Sequence, residues 1–182
     1  MMQQFGATQL SNSAAAQANR LRLSDGPLEL GWHHCGTTSD FLADFFANLA
    51  RKSNANYNDA LHSIGYLLNE LLENAVKFRA AGDIVINATL ENNNFEVRVC
   101  NLVAESTAAR FQRLLEEITA RDPGELLIER IELNAADPSS SASGLGLLTL
   151  MSDYGVGLGW NFRRDASSGP VRVETCASLP LS

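Results

Sequence analysis

Three polar residues in the stretch LLNELLENAVKFRAAG, positions 67–82, have side chains suited to phosphate chemistry. Glu70 and Asn74 are one helical turn apart, and Lys77 follows three residues later. An asparagine amide oxygen is a neutral, hard ligand suited to Mg²⁺, an ion that binds substrate phosphates. A partly desolvated carboxylate can activate a hydroxyl or water, and a lysine can reach phosphate oxygens. These residue types together suggest phosphoryl transfer.

The three residues border the apolar face of a predicted helix. Successive residues advance about 100° around an α-helix, so Glu70, Asn74 and Lys77 fall within about 60° of one another. The Leu, Ile and Ala side chains of the same segment occupy the adjacent sector. A border position is where a cleft between this helix and a covering segment would open. The simpler alternative is a solvated helix edge with a salt bridge between Glu73 and Lys77.

Two glycines later in the chain could contribute to the same site. In SASGLGLLTL, positions 141–150, Gly144 and Gly146 flank Leu145 and precede an apolar helical pattern. Glycine lets a backbone approach a ligand without a Cβ in the way, and free N–H groups at a helix start can bind anionic oxygen. A tight turn packed against a sheet is the structural alternative. The chain has neither a P-loop motif nor a GxGxxG motif.

The order of the predicted elements indicates an α+β fold. Hydrophobic periodicity and turn residues define them as follows: a strand at 27–34, a helix at 41–52 preceded by capping residues, a helix at about 58–79, a hairpin at 83–90 and 95–102, helices within 104–133 divided at Pro123-Gly124, a glycine-opened helix, and strands at 156–164 and 170–179. Strands segregated from helices predict a two-layer α/β sandwich, with a mostly antiparallel sheet and helices on one face. The helical insertion, about 103–143, would cover one end as a lid.

The length of 182 residues is that of one domain with a sizeable core. Residues 1–26 are polar and rich in Ala, Ser and Gln, so we expect them to be flexible. Residues 27–182 would then form the folded domain.

Charge and composition narrow the expected partners and location. The formal net charge of -7 argues against a nucleic-acid partner, since phosphate binding over a surface needs excess Lys and Arg. No apolar run is long enough to span a bilayer, and the N-terminus lacks the pattern of a signal peptide. Cys35, Cys100 and Cys176 have no CxxC spacing, which argues against a disulfide framework or zinc site. We therefore expect a cytoplasmic protein with reduced thiols and no membrane partner.

The motifs NELLENAVKF and SGLGLLTL together resemble those of the GHKL superfamily of ATP-binding domains, which includes histidine kinases, anti-sigma-factor kinases, gyrase B, Hsp90 and MutL. The resemblance covers residues 27 to about 181 and implies a Bergerat-type sandwich that binds ATP and Mg²⁺. It implies that Glu70 is the catalytic base and that Asn74 holds the metal, with Lys77 in the same nucleotide-binding motif. The implied second glycine box, which contacts the phosphates, comprises Gly144, Leu145, Gly146 and Leu147.

The chain departs from the family pattern at the first glycine box, the DxGxG motif that normally follows the hairpin. RVCNLVAESTAAR stands there, with Asn101 at the place of the adenine-recognising aspartate. An asparagine can still accept from an exocyclic amine and donate to a ring nitrogen, although it lacks the charge that strengthens such a bond. Thr175 in the last strand could contact a base edge, as a threonine does in relatives. The resemblance therefore implies altered, weaker adenine recognition.

The short lid with two helices makes the chain most similar to SiaB-type protein kinases. That resemblance implies a Ser/Thr kinase in bacterial signalling whose substrate is a small regulatory partner, similar to an anti-sigma-factor antagonist. Two alternatives remain open: a non-catalytic adaptor or anti-sigma-type binding module with weak or no nucleotide binding, and ATP hydrolysis without a protein acceptor. The oligomeric state also remains open, with a homodimer as one option.

The sequence also suggests roles for two arginines and two tryptophans. Arg79 and Arg110 could reach phosphate, although exposed arginines more often make rim contacts. Trp32 and Trp160 are expected to be strand residues that pack in or beside the core.

Overall fold

The computed structural model describes residues 2–10, 19–25, 31–53, 55–136, 144–164 and 169–182. Within these ranges the chain forms five α-helices and one six-stranded sheet. The elements, in chain order, are β1 (Met2–Gly6), β2 (Asn19–Leu23), α1 (Trp32–Ala50), a 3₁₀ turn (Arg51–Ser53), α2 (Tyr57–Phe78), β3 (Ile84–Glu91), β4 (Asn94–Val103), α3 (Glu105–Ala120), α4 (Pro123–Ala136), α5 (Leu145–Ser152), β5 (Gly157–Arg163) and β6 (Val171–Pro180).

The sheet is antiparallel throughout, with strand order β1-β5-β6-β4-β3-β2. The long strands β4 and β6 pair at its centre, from Asn94 opposite Pro180 to Val103 opposite Val171. β3 and β4 form the predicted hairpin, and its turn places Asn92 and Asn93 at φ values of 50° and 58°. Asparagine tolerates this left-handed backbone better than most residues, which explains the Asn-rich turn. The α+β class predicted from the sequence is confirmed.

One hydrophobic core joins the helices to the sheet. α2 begins at the capping residue Asn56, whose side chain accepts hydrogen bonds from the backbone of Asn58 and Asp59. The helix then buries one apolar stripe: Ala60, Ile64, Leu67, Leu68, Leu71, Leu72 and Ala75. Each fully buried leucine of this stripe contributes about 1.5–3 kcal/mol of hydrophobic stabilisation. From α1, the Phe46 ring meets the Phe95 ring of β4 at a centroid distance of 4.9 Å. This packing is compatible with the predicted two-layer sandwich.

The predicted helical insertion forms α3 and α4. In α3, the Phe111 ring packs against Trp160 and Phe162 of β5, at centroid distances of 6.1 and 5.9 Å. α4 lies beside α5, since a Cβ on Gly124 would be 3.4 Å from the Ser152 hydroxyl. The two helices are separated where the break at Pro123-Gly124 was predicted.

The predicted strand at 27–34 is wrong for its described part. Trp32, His33 and His34 lie in the first turn of α1, while residues 27–30 are outside the described ranges. Gly31 is the extended N-cap, and its backbone N–H donates to His34 Nδ1 at 2.9 Å. This contact starts the helix well before the predicted capping residues. Thr37, one of those residues, lies inside the helix and donates its hydroxyl back to the carbonyl of His33.

Two stretches of the N-terminal segment form strands that the sequence analysis did not predict. Met2–Gly6 pairs with β5 at one edge of the sheet, and Asn19–Leu23 pairs with β3 at the other. In β2, half-buried Leu21 and Leu23 alternate with exposed Arg20 and Arg22, which is the two-residue period of a strand. The described part of 1–26 thus extends the sheet on both sides.

Candidate functional site

A cavity of about 350 Å³ lies between α2, α3, the start of α5 and the inward face of β4, β5 and β6. The elements around it are distant in sequence and meet only through the antiparallel sheet and the helices packed on it. Several residues predicted for the site line this cavity: Asn74, Lys77, Asn101, Gly144, Leu147 and Thr175. Glu70, Leu145 and Gly146 were also predicted, but they are not among its lining residues.

The edge of α2 presents Asn74 and Lys77 to the cavity as predicted from helical spacing. Asn74 is half-buried, and Lys77 is exposed with its Nζ 5.2 Å from the centroid of the Phe78 ring. The alternative salt bridge between Glu73 and Lys77 does not occur among the ion pairs of the described residues. Glu73 instead accepts a hydrogen bond from the Asn69 side chain at 2.8 Å. Among the described residues, Lys77 therefore lines the cavity without an ion pair.

Glu70 lies against the first turn of α5. A Cβ on Gly146 would overlap the Glu70 carboxylate, so a larger residue here would displace the end of that side chain. Burial, and secondarily the charge of Glu73, raise the pKa of Glu70. The structure thus brings together Glu70 and Gly146, which the sequence assigned to two separate motifs.

Gly144 is favoured by its backbone conformation, and its surroundings leave little room for a side chain. Its φ is 90°, a left-handed conformation that favours glycine, and it forms the N-cap of α5. A Cβ at this position would lie 3.0 Å from Arg130 Nη1 and 3.3 Å from a methyl carbon of Leu114. Arg130 itself is buried, and its Nη2 donates to Glu117 at 2.8 Å. The lid helices α3 and α4 therefore contact the glycine turn through these side chains.

Asn101 is buried on β4 at the inner end of the cavity. Its Nδ2 donates to the backbone carbonyls of Ala75 and Leu102 at 3.5 and 3.4 Å. Because the nitrogen faces these carbonyls, Oδ1 points to the other side of the amide as an acceptor. Thr175 of β6 lines the same cavity and is half-buried.

The inner wall of the cavity is largely aromatic and apolar. Trp160 is fully buried, as expected for a core strand residue, and its Nε1 has no hydrogen-bond partner among the described residues. Phe111 of α3 and Val173 of β6 complete this wall. A planar apolar group would fit against it better than a charged one.

The cavity is locally cationic in an acidic protein. Among the described residues, the charged side chains lining it are Lys77 and Arg110, one on α2 and one on α3. Arg79, the other arginine considered for phosphate, is turned elsewhere: it pairs with Asp25 at 3.3 Å and donates to the carbonyl of Val76. Two cations without a lining carboxylate favour an anionic ligand.

Sequence reasoning missed Arg130, whose guanidinium lies against Gly144. Residues 125–132, ELLIERIE, combine acidic and apolar side chains, which is typical of a helix with one solvated face. Within it, Arg130 follows buried Leu126 by four residues and buried Leu127 by three, which is the spacing of one helix face. That spacing is the signal that marks the arginine as inward-facing.

The cysteines lie outside the cavity lining, and all three are free thiols. Burial, with the nearby Glu174 carboxylate, raises the pKa of Cys100 to about 11 and that of Cys176 to about 12. Thiols that resist ionisation are poor nucleophiles, so neither is a candidate for covalent chemistry.

No protein-family model, no curated protein and no solved structure matches the chain. Among the described residues, no cluster of His, Cys, Asp and Glu side chains has the arrangement of a metal site. None of the described helices combines the length and apolarity needed to cross a membrane.

Proposed function

We propose that the chain is a cytoplasmic ATP-binding protein with a Bergerat-type GHKL fold that phosphorylates a Ser or Thr of a small regulatory partner. The observation that carries the proposal is the cavity described above. Side chains from two sequence motifs, NELLENAVKF and SGLGLLTL, meet there with Asn101 and Thr175 of the sheet. A signalling role and a partner similar to an anti-sigma-factor antagonist follow from the resemblance in those motifs.

The phosphate end of the ligand would lie near the cations. ATP would supply the transferable phosphoryl group, and Mg²⁺ would neutralise its oxygens. Asn74 offers the neutral oxygen suited to that ion, from a half-buried position on the cavity wall. Lys77 of α2 and Arg110 of α3 supply positive charge, and the first turn of α5 offers the backbone N–H groups of Leu145 and Gly146.

The base would lie against the aromatic inner wall. Trp160 and Phe111 provide apolar contact, while Asn101 Oδ1 is the acceptor for an exocyclic amine. A neutral amide replaces the charged carboxylate of the family pattern at this point, so the hydrogen bond is weaker. Thr175 adds a hydroxyl that both donates and accepts. These contacts favour adenine with modest affinity.

Glu70 would accept the proton of the partner's hydroxyl. A raised pKa brings a carboxylate closer to the range in which a general base works well at neutral pH. Glu70 lies beside the first turn of α5 and outside the cavity lining, a position that supports this role.

The experiment is a pair of measurements on the full chain and two variants. Isothermal titration should show Mg-ATP binding by the wild type and strong weakening in Asn74→Ala, since the metal loses its protein ligand. Glu70→Ala should bind Mg-ATP but lose phosphotransfer to the partner by at least a hundredfold. Full phosphotransfer in both variants would refute the assignment.

A non-catalytic binding module is the second candidate. The observation in its favour is that the spaces left by two glycines are taken by the protein's own groups, the Glu70 carboxylate at Gly146 and the Arg130 guanidinium at Gly144. Absence of binding heat at millimolar Mg-ATP would favour this adaptor role. Release of phosphate by the isolated chain would instead indicate hydrolysis without a protein acceptor.

A further inference from the structure

A second groove, separate from the cavity, lies between α1 and the first half of α2. It has a volume of about 640 Å³ and runs along α2 from Asn58 to Asn69, about 17 Å at the helical rise of 1.5 Å per residue. Small residues form its floor, because a Cβ on Gly65 would be only 3.6 Å from the Cβ of Ala43. A channel of this length can hold about five residues of extended chain.

The rim of the groove is acidic. Asp40 and Asp44, one turn apart on α1, line it, and no Lys or Arg does so among the described residues. Neither aspartate belongs to an ion pair of the described residues. Asp44 Oδ1 accepts hydrogen bonds from the Tyr57 hydroxyl at 2.6 Å and from Asn48 Nδ2 at 3.1 Å, so this carboxylate is held in place. The two aspartates thus give the rim a negative charge.

Two aromatic side chains of α1 are exposed beside the sequence positions of the rim aspartates. Phe41 and Phe45 directly follow the two aspartates and are 63% and 40% exposed. Large aromatic side chains beside a charged rim are typical of surfaces that bind another protein.

The groove ends beside the candidate site. Tyr66 and Asn69 line its far end, and Glu70 is the next residue on α2. The Asn69 side chain is fixed by its hydrogen bond to Glu73. A segment lying in the groove would therefore lead towards the Glu70 carboxylate.

We propose that this groove docks a cationic segment of a partner protein. Two Lys or Arg side chains about 6 Å apart would match the spacing of Asp40 and Asp44, which are four residues apart on a helix. The same carboxylates repel nucleic acids and anionic membranes, which leaves a protein as the partner. The use of the groove to bring a Ser or Thr hydroxyl to Glu70 rests on the proposed kinase function, but binding of the segment does not.

The test is a selection of peptides against the full chain without nucleotide. The library consists of 12-residue peptides with a central Ser and random flanks. Selected peptides should be enriched in pairs of Lys or Arg, and their Kd, measured by fluorescence anisotropy, should rise at least tenfold for Asp40→Lys. Gly65→Leu, which fills the channel, should weaken binding similarly. Glu132→Lys makes the same charge change on exposed α4 and should leave Kd within twofold.

Three results would overturn the docking proposal: peptides without cationic enrichment, equal binding by Asp40→Lys, or self-association of the wild type that Asp40→Lys abolishes, which would assign the groove to a second copy. Asn74→Ala separates this proposal from the kinase. If that variant binds the peptides normally while phosphotransfer is absent even in the wild type, the kinase function fails and the docking groove stands.

Discussion

At the scale of single residues, Glu70 links stability to pH. Its pKa in the folded chain is raised above the ordinary value of 4.5 by burial and by Glu73. The ionised form is therefore disfavoured in the folded state. The protonated carboxyl carries no such cost, so its contribution to the free energy of unfolding is fully present below pH 4.5. That contribution is lost as the pH rises through the folded-state pKa. Glu70→Gln keeps the shape of the side chain and removes its charge.

We expect Glu70→Gln to be more stable than the wild type at pH 7 and equally stable near pH 4. Chemical denaturation at both pH values measures this difference. Phosphotransfer should be lost in the same variant, so stability and activity would change in opposite directions. A variant less stable than the wild type at pH 7 would show that the carboxylate has a stabilising partner in the fold.

At the scale of elements, α2 has its own stabilising cap. Asn56 accepts from the backbone N–H groups of Asn58 and Asp59 at 2.9 and 3.4 Å, which satisfies donors that no helical carbonyl reaches. Asn56→Ala should lower the free energy of unfolding by about 1 kcal/mol. For a domain of this size the Tm would fall by about 2–4 °C.

Calorimetry of Asn56→Ala measures that fall, and titration with Mg-ATP provides its functional control. The cap lies about five turns of helix before Asn74, so the affinity for Mg-ATP should stay unchanged. A loss of nucleotide affinity as large as that of Asn74→Ala would mean that the register of the whole helix depends on the cap.

The elements that were predicted correctly are those whose signals are local. α2 and the β3–β4 hairpin follow from helical periodicity and from an Asn-rich turn, and both occur within two residues of the predicted bounds. The start of α1 was wrong because alternation over a few residues resembles a strand, while the contact between Gly31 and His34 begins a helix. The edge strands were missed because a strand of five residues depends on its neighbours in the sheet.

In the candidate site, too, some features could be predicted from local sequence patterns and others could not. The spacing of Asn74 and Lys77 on one helix edge places both at the cavity, because helical geometry alone determines it. The contact of Glu70 with Gly146 and that of Arg130 with Gly144 join segments far apart in sequence. Such contacts depend on tertiary packing, and no local pattern encodes them.

At the scale of the whole molecule, β1 and β2 form the two edges of the sheet and protect the strands that build the site. β1 covers β5, the strand that carries Trp160, through five register pairs from Met2–Arg163 to Gly6–Gly159. The Phe5 ring also packs edge-on against Phe162 at a centroid distance of 5.8 Å. β2 has two arginines among its five residues, whereas β1 has no charged side chain. Charge on an edge strand discourages pairing with other chains, and β1 lacks this protection.

Deletion of residues 2–6 should therefore have two consequences. The Tm should fall, because Phe162 loses an aromatic contact and β5 loses a row of backbone hydrogen bonds. The chain should also self-associate as its concentration increases, because the newly exposed edge of β5 is longer and flanked by apolar residues. Thermal melting and sedimentation velocity measure the two effects.

Phe5→Ala is the matched control: it removes the aromatic contact but keeps the strand, so it should lower Tm without association. A deleted chain that remains monomeric with an unchanged Tm would show that β1 does not form part of the sheet in solution.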